Sequence, residues 1–161
     1  ENCFLWVEDG KAVGYILGSK DTQQQRHTFR KKMYPRAMLR TIFYTLWRHP
    51  ESYHYAIKVL AGFKKRPTND DLEFYKTYPA HLHIDILPGY QSKGIGSTLM
   101  TTFLDHMKEN GVPGIHLGTS SQNKKAVPFY EKQGFTLLNK RPSDFWETGE
   151  QIYSLTFGKK F

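Results

Sequence analysis

The chain has 161 residues, 39% hydrophobic and 15% aromatic, which is enough to bury one core and too apolar for a disordered segment. Its single cysteine, Cys3, excludes an internal disulfide and any zinc site built on paired cysteines, and no apolar run approaches the ~20 residues of a membrane-spanning helix. With 23 Lys and Arg against 15 Asp and Glu the net charge is +8, a field that draws polyanions such as nucleic acid, acidic membranes or a multiply phosphorylated cofactor without choosing among them.

These features predict a single domain over residues 1–161, in a reducing intracellular compartment, cytoplasmic or nuclear, with no membrane partner. No signal peptide is visible, and the start at Glu1 reads as a piece excised from a longer protein, with a further domain before it. The basic clusters Arg30-Lys31-Lys32 and Lys64-Lys65-Arg66 lack the aromatic-basic signature of an RNA-recognition module, which speaks against nucleic acid as a partner.

In chain order, CFLWVEDGKAVGYILG (3–18) predicts two strands joined at Asp9-Gly10, the dipeptide that best tolerates the positive φ of a tight hairpin. Residues 21–79 are long, basic and aromatic, and Pro35, Pro50 and Pro67 divide them into expected helices near 22–33, 36–48, 52–63 and 69–76. Met38, Leu39, Ile42, Phe43 and Leu46 make a stripe at helical spacing that is expected to be core.

HLHIDILP (81–88) alternates as a strand, with Leu82, Ile84 and Ile86 on one face and His81, His83 and Asp85 on the other. A turn from Gly89 to Gly96 follows. Ser97 to Asn110 then reads as a helix with Leu99, Met100, Phe103, Leu104 and Met107 inside, stopped by Asn110-Gly111. GIHLGTS (114–120) is another strand. Residues 121–135 form a helix that ends at Gly134 and, because of Pro128, has irregular first turns or begins late. TLLNKR and QIYSLTF close the chain as strands around a polar loop at 142–150.

The turn is the most informative stretch. A Walker loop fails because Ile95-Gly96 follows Gly94 where Lys and Ser or Thr are needed, and a dinucleotide fingerprint fails because Leu99 stands where Gly or Ala is needed. What remains, Gln91-Ser92-Lys93-Gly94-Ile95-Gly96, lets backbone approach closely, aims successive N–H groups inward and precedes a helix whose positive end favours an anion. A plain strand-to-helix turn remains an equal reading of that stretch taken alone.

Gln91-x-x-Gly94-x-Gly96 after a strand, followed by Asn123-x-x-Ala126-x-x-Phe129-Tyr130-x-x-x-Gly134-Phe135, resembles the paired motifs of the GNAT acetyltransferase superfamily over about residues 81–135. HLHIDILP with the preceding Tyr78-Pro79-Ala80 looks like the subgroup that includes the acetyltransferase-like domain attached to O-GlcNAcase. The resemblance implies an α/β fold with a mixed, centrally splayed sheet flanked by helices, and acetyl-CoA as co-substrate with no metal. It implies that Gln91, Ser92, Lys93, Gly94, Ile95 and Gly96, with the helix start at Ser97, hold the pyrophosphate. Ile86 and Leu87 would present backbone to the pantetheine arm, Asn123 would bond the arm's amide region, Phe129 would belong to the cofactor-binding residues, and Tyr130 would sit beside the thioester sulfur. The family order places a strand and one or two helices before the hairpin; here those elements lie upstream of Glu1 or the helices of 21–79 replace them, lining the acceptor side.

Transfer to an amine needs a proton for the departing thiolate, of ordinary pKa near 8.5, and a base for the arriving ammonium. Tyr130 fits the donor. Asp85 and His83 share a strand face and are the candidate bases, His83 with the pKa better suited to neutral pH. His81, His83 and Asp85 as one metal cluster would span about 13 Å along the strand, too far for one ion. The acceptor is read as an amino sugar, a small amine or a protein lysine such as a histone's. Two rival readings are a non-catalytic GNAT-like regulatory or protein-contact module, and a nucleic-acid binder using the basic 26–36 and 58–66 stretches.

Overall fold

A computed structural model describes residues 2–41, 44, 46–49, 53, 57, 69–143 and 151–161. The chain divides into two compact units, Glu1–Thr22 with Phe74–Phe161, and Gln23–Glu73.

The first unit is built on one six-stranded sheet. β1 (Cys3–Glu8) and β2 (Lys11–Ser19) form the predicted hairpin, and Asp9 and Gly10 take the left-handed φ values of 48° and 73° that its tight turn demands. β3 (Ala80–Ile86), β4 (Gly114–Ser120), β5 (Thr136–Pro142) and β6 (Tyr153–Lys160) complete the order β1-β2-β3-β4-β6-β5. β3 and β4 are parallel to each other, and the other neighbours pair antiparallel. β6 runs to Lys160, three residues beyond the expected strand, because Gly114–Ser120 holds it in register to its end.

Helix α5 (Ile95–Glu109) lies across β1, β2 and β3. Its stripe of Leu99, Met100, Phe103, Leu104 and Met107 is buried as the spacing predicts, against Val13, Ile16, Leu82, Ile115 and Leu117 of the sheet cluster. Each such side chain contributes about 1.5–3 kcal/mol when fully buried. Helix α6 (Ala126–Lys132) begins late, as Pro128 requires, and Gly134 ends it at φ 80°.

In the second unit, α1 (Thr22–Thr28) passes through a π turn (Phe29–Met33) into α2 (Tyr34–Arg40). The expected boundary near Pro35 falls between the π turn and α2: Pro35 sits in the first turn of α2, a position that tolerates proline. A short α3 (Leu46–Arg48) follows, and α4 (Asn69–Thr77), at the predicted position, begins in this unit and ends in the first. Of the helix expected at 52–63, only Tyr53 and Ile57 are described, both helical; the 58–66 stretch and residues 144–150 of the polar loop lie outside the described residues. Of the stripe expected to be core, Leu39 is 57% exposed and Met38 half-buried, while Ile42, Phe43 and the Leu46 side chain lie outside the description.

Candidate active site

β3 pairs with β2 from Ser19↔His81 to Gly14↔Ile86, all of its length but Ala80. Against β4 it pairs only at Ala80↔Ile115 and His81↔His116. Beyond that point β4 belongs to β6 alone, and the sheet opens between the carboxyl halves of β3 and β4. An edge opened inside a sheet leaves backbone donors and acceptors facing the gap.

Ile86 shows how the open edge is held. Leu87 N donates to Val13 O at 2.9 Å on the β2 side. Because backbone groups alternate along a strand, those of Ile86 point the other way. There Ile86 N donates to Asp85 Oδ1 at 2.9 Å, and Gln91 Nε2 donates to Ile86 O at 3.1 Å. Two site side chains therefore cap the edge that the resemblance assigns to the pantetheine arm.

The turn after β3 ends at Gly94, the residue before α5, at φ 86°, with Gly89 at 88° and Ser92 at 63° also left-handed. The helix starts at Ile95 rather than at Ser97, two residues earlier than expected, because Gly94 supplies the reversal. The first helical bond runs from Thr98 N to Gly94 O at 3.0 Å, so the amides of Ile95, Gly96 and Ser97 precede the ladder and form the positive end of the helix. The two glycines differ. A Cβ on Gly94 would meet nothing within 4 Å, whereas one on Gly96 would lie 3.0 Å from Ile86 Cδ1 and 3.4 Å from Phe129 Cζ. Gly96 thus lets the helix start close against the strand end and α6. Ile95 is buried, at 3% exposure, among the core residues.

The remaining predicted residues divide. Ser97 Oγ accepts from Gln133 Nε2 at 3.1 Å, a tie between α5 and the end of α6 by a residue that no motif singled out. Lys93 lays its ammonium 4.9 Å over the Tyr90 ring in the exposed turn. Asn123 Oδ1 accepts from Ala126 N at 3.3 Å and helps start α6. Leu87 is exposed at the strand end.

Tyr130 is buried among Phe129, Phe135 and Phe157, whose ring centroids lie 5.5, 6.2 and 6.0 Å from its own. Burial raises its pKa above the ordinary phenol value, and the negative charge of Asp85 raises it further. His83 is exposed on the same strand face as Asp85, its ring 6.0 Å from that of Tyr15, and the predicted division of β3 into an inner Leu82, Ile84 and Ile86 face and an outer polar face holds. Tyr15, opposite Asp85 in register, is a neighbour that sequence reasoning missed; only the hairpin register could have found it. Among the described residues no three His, Cys, Asp or Glu side chains cluster closely enough to hold a metal ion.

The sequence profile of the acetyltransferase (GNAT) family matches residues 1–135. A mycothiol acetyltransferase of Propionibacterium freudenreichii is 35% identical over 52 residues, 32% of this chain and 17% of that protein. One from Thermobifida fusca is 28% identical over 98 residues, 56% of this chain and 30% of that protein. The chain thus spans less than a third of the length of these curated relatives. Among solved structures, SsHAT superposes with a TM-score of 0.65 and 29% identity, over 98% of this chain and 71% of that one. A putative streptothricin acetyltransferase from Bacillus anthracis, solved in complex with acetyl coenzyme A, shares the fold at a TM-score of 0.60 and 16% identity, over 99% of this chain and 61% of that one. With the strand break, the glycine turn and a profile that covers most of its length, the chain belongs to the acetyltransferase (GNAT) family.

Proposed function

We propose that the chain is an acetyl-CoA-dependent N-acetyltransferase that moves an acetyl group to a primary amine of an amino sugar, a small molecule or a protein lysine. One observation carries the reading: β3 leaves β4 after His81, so that Asp85 and Ile86 end on an open strand edge beside the glycine turn that starts α5. The residues fit the co-substrate. The amides of Ile95, Gly96 and Ser97, with Ser92 and Lys93 beside them, suit a pyrophosphate, and the capped groups of Ile86 suit an amide-bearing arm. Acetyl-CoA, when bound, supplies an activated thioester.

The chain's own groups then divide the proton work. Tyr130, its pKa held above the ordinary 10.0, keeps its proton at neutral pH and has it to give as the sulfur gains charge. Asp85 takes a proton from the arriving ammonium, directly or through water. On doing so it loses the charge that raises the Tyr130 pKa, so the donor becomes more acidic as the base is loaded. Asp85 is proposed over His83 as the base because its charge acts at Tyr130, the proposed donor. The bond from Ile86 N occupies only Oδ1 of that carboxylate. Tyr78-Pro79-Ala80 with residues 81–88 supports assignment to the O-GlcNAcase-like subgroup.

The test is mass spectrometry of a reaction with acetyl-CoA against glucosamine, spermidine and a lysine peptide. An acetylated amine and an equal amount of free coenzyme A are expected. A chain that neither melts higher with acetyl-CoA nor acetylates any amine of the panel is the non-catalytic module instead.

A further inference from the structure

The charge of the chain is not evenly spread. Between Thr22 and Pro50 stand seven of its 23 Lys and Arg and none of its 15 Asp and Glu, which leaves 16 basic against 15 acidic groups in the other 132 residues. Nearly the whole net charge of +8 sits in 29 residues.

The described part of that stretch is helical, from α1 through the π turn into α2, and again in α3. Arg30, Lys31, Lys32, Arg36 and Arg40 are all exposed on it. Among them stand large apolar side chains that water does not favour: Met33 at 56% exposure, Leu39 at 57% and Trp47 at 83%. Arg48 lies over the exposed Tyr44 ring, 5.7 Å from its centroid.

Cations alone would suit any polyanion, so the apolar side chains decide the partner. Single-stranded nucleic acid would stack its bases on flat rings such as Trp47 and Tyr44 but would leave the aliphatic Met33 and Leu39 without a partner. An anionic lipid surface rewards both features at once: headgroup charge attracts Lys and Arg, and the acyl boundary takes up Met, Leu and Trp. We propose that the described helices of residues 22–48 form a surface for peripheral docking on membranes that contain anionic lipid. The chain would lie on the bilayer and not cross it, since no described helix is long and apolar enough to span one. This departs from the expectation of no membrane partner and is independent of the acetyl-transfer reading.

The test is co-sedimentation of the intact chain with phosphatidylcholine vesicles, with and without phosphatidylserine, at low and high salt. Binding is expected only with phosphatidylserine and is expected to weaken with salt. Each basic group near such a surface is worth about fivefold, so Arg30→Gln with Lys31→Gln and Lys32→Gln should weaken binding about a hundredfold. Met33→Ser with Leu39→Ser keeps every charge and should cost at least about tenfold. If circular dichroism shows the triple variant to have lost helix, Arg36→Gln with Arg40→Gln removes charge from α2 and is read in the same way. Acetyl-CoA affinity, unchanged in all of them, separates this surface from the transferase site. No sedimentation, equal sedimentation with phosphatidylcholine alone, full binding by the serine variant, or preference for a single-stranded RNA over the vesicles would each overturn the proposal.

Discussion

The two edges of β3 have the same strand in common and almost nothing else. Towards β2 the register runs unbroken for six residues, and α5 covers that half of the sheet with Phe103 and Met100 fully buried. Towards β4 the register stops at His81↔His116, and Ile86 turns its backbone to side chains instead of to a neighbouring strand. A strand laddered on one edge is rigid enough to hold the other edge open. The stability of the sheet and the chemistry of the site thus divide between its two sides.

The sharpest way to break that division is at Tyr130. Replacing it with Phe keeps the ring among Phe129, Phe135 and Phe157 but removes the hydroxyl proposed as proton donor. The expected outcome is a kcat lower by about 10²–10⁴, with acetyl-CoA affinity and melting temperature nearly unchanged. The deficit should shrink as pH rises toward the thiol's ordinary pKa, near 8.5, where the leaving group needs no proton. A variant of full rate would leave Tyr130 a packing residue.

On the laddered side the expected response is in stability. A Cβ on Gly18 would lie 2.7 Å from Phe103 Cζ and closer still to His81 O, both fixed by core and ladder, so Gly18→Ala should cost about 1–3 kcal/mol and lower the melting temperature. Gly118 lies in β4 past the break, and a Cβ there would meet nothing within 4 Å. Gly118→Ala should leave the melting temperature unchanged or raise it slightly. Equal losses in the two variants would mean that the sheet beyond the break is as tightly covered as the rest.

The turn at the mouth of the break is tested by charge. Ser92 is exposed at φ 63°, a conformation that Asp adopts more readily than most residues, so Ser92→Asp adds a negative charge with little strain. Acetyl-CoA affinity should fall about tenfold while the melting temperature holds. Unchanged affinity in a thermal titration would remove the turn from phosphate binding. Gly96 is a poorer place for this test than its motif suggests, because a side chain there strikes Ile86 and Phe129 before it reaches any ligand.

Much of this was legible in the sequence wherever local pattern decides structure. The Asp9-Gly10 hairpin, the buried stripe of α5, the late start of α6 and the two faces of β3 each follow from periodicity or from a residue with restricted dihedrals. The strand break was legible only through the resemblance, because pairing between β3 and β4 is long-range. The coupling of Asp85 to Tyr130 was not legible at all, nor was the tie from Gln133 to Ser97, since each joins elements that only the tertiary fold brings together. The boundary near Pro35 was legible too, because a proline is tolerated in the first turn of a helix and not in its interior.

The smallest expected effect bears on that coupling. The Tyr130 pKa is raised first by burial and second by the charge of Asp85, so Asp85→Asn should lower it while leaving it above the ordinary 10.0. A group that binds its proton more tightly in the folded chain than in the unfolded one contributes stability that is complete below the unfolded value, about 10, and is lost as pH rises through the folded value. The native chain should therefore lose stability above about pH 10 in part through Tyr130. In Asp85→Asn that part should be smaller and confined to a lower pH range, and in Tyr130→Phe it should vanish. NMR titration of ring-labelled tyrosine, assigned by the Tyr130→Phe spectrum, reads the pKa directly, and denaturant midpoints across the alkaline range read its consequence. An Asp85→Asn chain whose Tyr130 titrates where the native one does would separate the two residues, and with them the assignment of Asp85 over His83 as the base.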